Sequence, residues 1–313
     1  MRGFINVDKP RGITSFEVVR RIRRAARTKR VGHAGTLDPN ATGVLPIAVG
    51  EATRLVDELV GARKRYTAEI RFGVETDTYD LEGSAVEEQD ASGLDEARVR
   101  EALRGFLGQQ MQVPPAYSAV KRAGVPAYRA ARRGDPLTLE ARPVVVHALE
   151  VLGFDRSDPS RPVLELDVQC GKGFYVRSLA HDLGALLGTG AHLSGLRRTQ
   201  VGPFLIASAV PLDGAVARLE AGEGAAIVLP PDAVLGDWPA VTLNPEQAAR
   251  VRQGLDVSLL NWDYVASPGE SRLRAYGPDG ILLALLEPSF VLGAWHPYRV
   301  FPPEQAAAAV TAP

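Results

Sequence analysis

The chain has 313 residues, of which 45% are hydrophobic and 23% are charged, and its formal net charge is -1 at pH 7. This composition excludes a chain that is disordered throughout, and the length favours two domains over one. The single cysteine, Cys170, excludes an internal disulfide framework and favours a reducing compartment. No apolar run approaches membrane-spanning length, and the N-terminus has no secretory h-region. We therefore predict a cytoplasmic protein with no membrane segment.

The small net charge hides a strongly uneven distribution of basic residues. Residues 1–65 contain 14 Lys/Arg and 6 Asp/Glu, and residues 113–143 contain 6 and 2. Residues 171–200 add 4 Lys/Arg against 1 acidic residue, so the rest of the chain is strongly acidic. Basic runs are often only solvated helix faces, but three of them on an acidic protein favour a surface that binds a polyanion such as RNA.

In chain order, a strand is expected first at residues 3–10, followed by a turn at residues 10–12. Thr14 and Glu17 have the spacing of a capping box, which predicts an amphipathic helix from Ser15 to about Arg27 with a basic outer side. Residues 30–50 are rich in Gly, Pro and Thr without a sustained period, and we predict a long ordered loop there.

The middle of the chain mixes strands and helices without a regular βαβ repeat. Residues 65–73 and 163–170 alternate between apolar and polar side chains, which predicts two half-buried strands, with Cys170 in a buried wall. Helices are predicted at about residues 94–107 and 176–187. The Pro- and Arg-rich residues 113–142 are too polar and too interrupted for a core segment. This mixture favours an α+β fold around an antiparallel or mixed sheet.

The last third of the chain has a different character. Beyond residue 207 the sequence is acidic and rich in Ala and Gly, which suits a connection between domains. A short helix at about residues 245–253 and two strands joined by a turn at residues 277–280 then predict a small β-rich domain that ends near Phe301.

Asp38 is the most informative residue of the predicted loop. It precedes Pro39, which excludes a helix interior, and glycines on both sides allow a tight path that presents its carboxylate. By residue type alone, Asp38 is better explained by an Asx turn that caps the loop.

Sequence blocks around Asp38 resemble the TruB family of tRNA pseudouridine synthases. The resemblance is strongest at GHAGTLDPNATGVLPIAVGEATR, residues 32–54, and the other blocks follow in the family's order over nearly all of residues 3–205. These blocks are DKP at 8–10 with residues 12–15, KRY at 64–66, RFGVETDTYDLEG at 71–83, PPAYSAVK at 114–121, GKGFYVR at 171–177 and GAHLSGLRR at 190–198.

The resemblance implies a domain plan and a reaction. It implies a catalytic domain over residues 1–235, built around a mixed, mainly antiparallel sheet, with a tRNA-gripping insertion at 113–143. A small C-terminal β-barrel of the PUA type would follow at 236–303, with a tail at 304–313. The reaction would isomerise uridine 55 in the T loop of tRNA to pseudouridine, without a cofactor or a metal ion.

The resemblance also implies roles for individual residues. Asp38 would be the catalytic carboxylate, held by Arg177, and Tyr66 would stack on the uracil and move the C5 proton. The pattern alone leaves Arg177 open as a surface or phosphate-binding arginine and Tyr66 as a core tyrosine. Further substrate-binding candidates are His33, Tyr175, Leu196, Lys9 and Lys64, of which Leu196 by itself would be assigned to the core.

The predicted partner is the T arm of tRNA. Its backbone is expected to meet four arginines of the insertion, Arg122, Arg129, Arg132 and Arg133. We expect a monomer that needs no obligate protein partner. Two other functions stay open from sequence: a guide-RNA-dependent synthase of the dyskerin type, and a non-catalytic RNA-binding protein that keeps the same scaffold.

Overall fold

A computed structural model describes residues 1–118, 120–122, 124–131, 133–135, 137–259, 272–291 and 293–302. The helices of these residues are α1 (Ser15–Ala25), α2 (Val56–Val60), α3 (Glu96–Arg104), α4 (Ala127–Ala131), α5 (Val176–Leu187), α6 (Leu212–Glu220) and α7 (Pro245–Arg252). The strands in the first half are β1 (Gly3–Lys9), β2 (Val31–His33), β3 (Thr42–Val49), β4 (Lys64–Phe72), β5 (Val74–Thr76), β6 (Ala85–Glu88), β7 (Gly108–Gln112), β8 (Lys121–Arg122), β9 (Val125–Pro126) and β10 (Arg142–Asp155). The later strands are β11 (Val163–Cys170), β12 (Ala191–Val201), β13 (Phe204–Leu205), β14 (Val210–Pro211), β15 (Ala240–Thr242), β16 (Val257–Ser258), β17 (Leu273–Tyr276), β18 (Leu282–Pro288) and β19 (Ala294–Val300).

The main sheet runs in the order β14-β1-β3-β12-β4-β11-β10-β7, with β2 beside β3 and β13 beside β12. The pairs β1/β14 and β3/β12 are parallel, and the other neighbours are antiparallel. Helices α1, α3, α5 and α6 contribute to the largest apolar core, together with the inward side chains of this sheet. The predicted α+β fold around a mixed, mainly antiparallel sheet is confirmed.

The predicted strand around Tyr66 and the predicted wall position of Cys170 are also confirmed. Along β4, Tyr66, Ala68, Ile70 and Phe72 are buried while the residues between them are more exposed. Cys170 is 1% exposed at the end of β11. The alternation of apolar and polar residues predicted these strands, because every second side chain along each strand lies on its exposed face and is polar.

The prediction of one long loop over residues 30–50 is wrong. Strands β2 and β3 occupy most of it, and seven of the eight residues of β3 are buried. A strand that is covered on both faces has no polar residues at every second position, so its period cannot be seen in the sequence. Only residues 34–41, which carry Asp38, form a loop between the two strands.

Two other predictions need correction. The segment beyond residue 207 is not a simple connection, because α6 forms there and contributes Leu212, Ala215 and Leu219 to the main core. The capping box of α1 is half formed: the Thr14 hydroxyl accepts a hydrogen bond from the Glu17 N–H at 3.1 Å, whereas the Glu17 carboxylate pairs with Arg20. The short side chain at the N-cap suffices to satisfy one free N–H of the first turn.

The insertion at 113–143 contains more structure than its polar sequence predicts. Strands β8 and β9 form a short hairpin, and α4 follows with three buried alanines at 127, 130 and 131. Alanine is too small to produce a visible apolar stripe, although it packs well in a short helix. The insertion is rooted beside α5, where the Ser178 hydroxyl donates to the Val113 carbonyl at 2.8 Å.

The C-terminal region forms a second, half-barrel sheet in the order β15-β17-β18-β19-β16, as expected for a PUA-like domain. Strands β17 and β18 are joined across the predicted turn at 277–280. Helix α7 begins at Asn244 with a full capping box to Gln247. One apolar cluster contains Phe4 and Leu55 from the first part of the chain and Leu285 and Phe301 from the C-terminal region. Residues on both sides of the predicted boundary at residue 235 therefore pack in the same core.

Gly43 allows the close approach of β3 to β12, and this contact gives a stability prediction. Its φ is +103°, and a Cβ there would lie 2.2 Å from the Arg198 carbonyl oxygen. We expect Gly43→Ala to lower the free energy of unfolding by at least about 3 kcal/mol, because backbone strain and a backbone clash add. Gly188→Ala is the control, since Gly188 has φ +70° but nothing within 4 Å of the added Cβ, and its cost is about 1–2 kcal/mol. Urea unfolding measures both variants, and equal costs would contradict the clash.

Candidate active site

The loop that carries Asp38 is fastened on both sides of this residue. Before it, the Leu37 N–H donates to the Ser15 hydroxyl at 2.8 Å, and that hydroxyl donates back to the Leu37 carbonyl at 3.0 Å. After it, the Pro39 carbonyl accepts hydrogen bonds from the Lys9 ammonium at 3.0 Å and from the Gly12 N–H at 2.9 Å. The backbone of Asp38 therefore has little freedom, while its side chain is 43% exposed.

Arg177 on α5 holds the Asp38 carboxylate. Its Nε lies 3.1 Å from Asp38 Oδ2, and the arginine side chain is 6% exposed. The guanidinium is shared between two carboxylates, because its Nη1 lies 3.4 Å from Asp80 Oδ2. The remaining N–H groups donate to the Tyr117 carbonyl at 3.0 Å and the Thr78 carbonyl at 3.4 Å. One buried cation thus joins α5, the turn after β5 and the root of the insertion to the Asp38 loop.

The electrostatic environment of Asp38 contains opposing effects. Burial raises the pKa of its carboxyl above the usual value, Arg177 opposes this shift, and the neighbouring Asp80 adds to it. Lys9 and Arg198 lower the pKa further. The net direction is upward, so Asp38 is easier to protonate than an exposed aspartate, and its charge depends on the cations around it.

Tyr66 lies on the buried face of β4 and is 8% exposed. Burial raises the pKa of its hydroxyl, and the guanidinium of Arg198, which interacts with that hydroxyl, opposes the shift. The phenol therefore keeps its proton at neutral pH. Tyr66 therefore offers a flat ring that can stack on a base and a protonated hydroxyl beside a cation.

Lys9 and Lys64 are both used inside the protein. Lys9 is fully buried, and its ammonium donates to the carbonyls of Pro10, Ile13 and Pro39. Lys64 donates to the carbonyls of Val60 and Ala62 at 3.0 and 2.8 Å. Burial lowers the pKa of each lysine to about 8. This geometry favours support of the site over the predicted contact with the substrate.

Comparison with known proteins decides the family. A model described as the TruB family pseudouridylate synthase N-terminal domain matches residues 23–176, and a tRNA pseudouridylate synthase B C-terminal domain matches 177–235. A tRNA pseudouridine synthase B of Dehalococcoides mccartyi is 41% identical over 301 residues, 96% of this chain and 97% of its own. That of Symbiobacterium thermophilum is 50% identical over 253 residues, 81% of this chain and 82% of its own. The chain belongs to the TruB family of pseudouridylate synthases.

The fold of this TruB-family chain is similar to that of a solved structure. The solved structure is that of an H/ACA ribonucleoprotein bound to a substrate RNA containing 2′-deoxyuridine, with a TM-score of 0.70 at 25% sequence identity. The alignment covers 96% of this chain and 85% of that one.

Three other residues that were predicted to bind substrate lie on β2, on β12 and at the N-terminus of α5. Tyr175 caps α5 and is half-buried, with its backbone N–H and carbonyl held by the side-chain amide of Gln112 at 2.9 and 3.1 Å. Leu196 is half-buried on β12, opposite Ala68. His33 ends β2, and burial followed by the charge of Arg198 lowers its pKa, so the imidazole is neutral at pH 7.

The four arginines predicted to meet the RNA backbone of the synthase are only partly described. Arg129 and Arg133 are exposed at and just after α4, and the Arg129 guanidinium lies 6.0 Å from the Tyr128 ring. The side chain of Arg122 and the whole of Arg132 lie outside the described residues. The contacts of these arginines with RNA stay a prediction.

Two residues of the site were missed in the sequence analysis. Asp80, the second carboxylate that contacts Arg177, lies within the block at residues 71–83. Its neighbours there are also polar or turn-forming, so its residue type did not distinguish it. Arg198 ends the block at 190–198 and is buried at 1% exposure. A buried arginine cannot be recognised from the sequence, because most arginines are exposed and nothing in the residue type distinguishes the buried ones.

Across the residues that the structure describes, no three His, Cys, Asp or Glu side chains come close enough together to hold a metal ion. Within the same residues, no helix is both long and apolar enough to span a membrane.

Proposed function

We propose that the protein converts uridine 55 in the T loop of tRNA into pseudouridine, acting alone and as a monomer. The observation that carries this proposal is the ion pair between Asp38 and the buried Arg177, at 3.1 Å, in a member of the pseudouridylate synthase family. The relatives named tRNA pseudouridine synthase B match over most of their own length, which supports tRNA as the substrate.

The reaction breaks the N1–C1′ bond of the uridine, turns the uracil and forms a C5–C1′ bond. The proton that leaves C5 is balanced by the one that N1 gains, so no oxidant or co-substrate is consumed. Asp38 can serve in three ways: by attack on C1′, by attack on C6 of the base, or by removal of a sugar proton. Each requires the ionised carboxylate, which Arg177, Lys9 and Arg198 stabilise against the effect of burial.

The target uridine has to leave the folded T loop before its C1′ and C5 can be reached. Base flipping costs a few kcal/mol, which stacking and backbone contacts have to offset. We propose that the uracil stacks on Tyr66, with Tyr175 and Leu196 as further walls of its pocket. His33 would contact the RNA next to the flipped nucleotide as a neutral hydrogen-bonding group.

Contacts with the RNA backbone are assigned to the insertion at 113–143. Its arginines Arg122, Arg129, Arg132 and Arg133 would hold the T arm by its phosphates, without reading its sequence. The Tyr117 carbonyl of the insertion accepts a hydrogen bond from Arg177, which would couple binding of the T arm to the Asp38–Arg177 pair. We propose that residues 236–303 form a PUA-like RNA-binding domain, followed by a tail at 304–313.

A guide-dependent synthase is the second candidate, because the H/ACA ribonucleoprotein structure shares the fold. The long insertion after Val113 favours direct binding of tRNA over guided binding. A non-catalytic RNA-binding protein is disfavoured, since both Asp38 and Arg177 are present and paired.

The test is to incubate the purified chain with an unmodified T-arm hairpin and to map pseudouridine by carbodiimide modification and primer extension. We expect modification at uridine 55 with no other component, and none in a hairpin that carries cytidine there. Modification that requires an added guide particle would replace this proposal by the guide-dependent one. A hairpin that is bound and never modified would support the non-catalytic alternative.

A further inference from the structure

Arg198 is a buried arginine that serves the site without belonging to the Asp38–Arg177 pair. Its side chain is 1% exposed on β12. The guanidinium donates to three backbone carbonyls: Val44 at 2.7 Å, Gly35 at 3.0 Å and Thr36 at 3.3 Å. Gly35 and Thr36 precede Asp38 in its loop, and Val44 follows it in β3. Arg198 therefore clamps both ends of the segment that presents the catalytic carboxylate.

The backbone of Arg198 connects the same segment to Tyr66. In β12 it is paired with Tyr66 of β4 on one side and with Gly43 of β3 on the other. Gly43 permits this approach, since a Cβ there would meet the Arg198 backbone. One residue thus sets the position of the Asp38 loop relative to the strand of the tyrosine.

The charge of Arg198 is not neutralised by a nearby carboxylate. Among the residues that the structure describes, its guanidinium donates to carbonyl oxygens and interacts with the Tyr66 hydroxyl, and no Asp or Glu lies within ion-pair distance. A buried cation is costly unless its donors are satisfied, which the fork of the guanidinium achieves here. Its field lowers the pKa of Asp38, Tyr66, His33, Lys9 and Lys64.

We propose that Arg198 is a positioning residue for the reaction, which fixes the Asp38 loop against Tyr66 and supplies the positive charge that both share. It acts through three carbonyls and through its field, and it does not touch the substrate. This inference rests on the proposed function for its kinetic part. Its electrostatic part concerns the protein alone.

Two substitutions separate geometry from charge. Arg198→Lys keeps the charge but replaces three nitrogens, each of which reaches a different carbonyl, by one ammonium nitrogen that cannot occupy all three positions. We therefore expect the single-turnover rate to fall about 10- to 100-fold while tRNA affinity stays within about threefold. The acidic limb of its pH profile should stay in place. Arg198→Gln also removes the charge, and the acidic limb should move to higher pH by about one unit, because Asp38 is then easier to protonate. The other charged or titratable groups that face Asp38 are unchanged in both variants: Arg177, Asp80, Lys9, Tyr66 and Tyr175.

A second readout does not depend on activity. His33 is titrated by NMR in both variants, and we expect its pKa to rise by at least about half a unit in Arg198→Gln and to stay near the wild-type value in Arg198→Lys. Circular dichroism and thermal unfolding verify that each variant is folded. The control is Arg197→Lys on the adjacent, exposed position, where the guanidinium pairs with Asp8 at 2.8 Å.

The outcomes distinguish the two proposals. An inactive wild-type chain would refute the proposed function, whereas the His33 titration would still test the role of Arg198. A wild-type rate in Arg198→Lys would overturn the positioning role. A uniform loss across all pH values in Arg198→Gln, with no change in the pKa of His33, would show that Arg198 is only structural.

Discussion

Asp38→Asn is expected to abolish pseudouridine formation while tRNA affinity stays within a few-fold. The amide preserves the shape of the side chain and the fastened loop around it, but it can neither attack the sugar or the base nor remove a proton. Its neutral group also loses the ion pair with Arg177. Single-turnover assays on the T-arm hairpin measure the rate, and filter binding measures the affinity. Asp213→Asn is the matched control, since this carboxylate is 84% exposed on α6 and should leave both values unchanged.

The same carboxylate determines the expected pH dependence of the wild-type enzyme. The active form is ionised, and burial raises the pKa of Asp38 above the ordinary value. Activity should therefore be lost as the pH falls through this raised pKa, at a higher pH than for an exposed aspartate. Full activity of Asp38→Asn, or an acidic limb at the pKa of an ordinary aspartate, would remove Asp38 from the proposed mechanism.

Arg177→Gln is the second substitution with a large expected effect, on both rate and stability. It leaves Asp38 and Asp80 close together without their shared cation, and it frees the Tyr117 and Thr78 carbonyls. We expect the single-turnover rate to fall at least about 100-fold and the free energy of unfolding to fall by about 3 kcal/mol at neutral pH. Arg100→Gln is the control: this arginine is 51% exposed, and its pair with Glu96 on α3 should be worth less than about 0.5 kcal/mol.

The sign of the stability change with pH identifies its cause. Without Arg177, the pKa of the Asp38 carboxyl rises further in the folded protein. This destabilises the folded state at pH values above that pKa, and less as Asp38 becomes protonated. The loss should thus be smaller at pH 5 than at pH 8 in urea unfolding experiments. Adding Asp80→Asn to Arg177→Gln should restore part of the stability and none of the activity. A pH-independent loss that Asp80→Asn cannot offset would indicate disrupted packing instead of unpaired charge.

Some strands and helices could be predicted from the sequence, and others could not. Strand β4 could be predicted because its alternation places Tyr66 on a buried face, and the hairpin at 277–280 because of its turn residues. Strand β3 could not be predicted, since burial on both faces removes the alternation and its glycine and proline suggest a loop. Helix α6 was hidden by its small and acidic residues, although it packs on the main core.

By itself, the sequence predicted the family, the α+β class, and the carboxylate, arginine and tyrosine of the candidate site. These follow from local patterns and from the order of short motifs, which survive without knowledge of the fold. Only the tertiary structure decided that Arg177 is shared with Asp80 and that Arg198 clamps the Asp38 loop through three carbonyls. These contacts join residues about a hundred or more positions apart, and periodicity shows which face of an element is buried but not which distant group it meets.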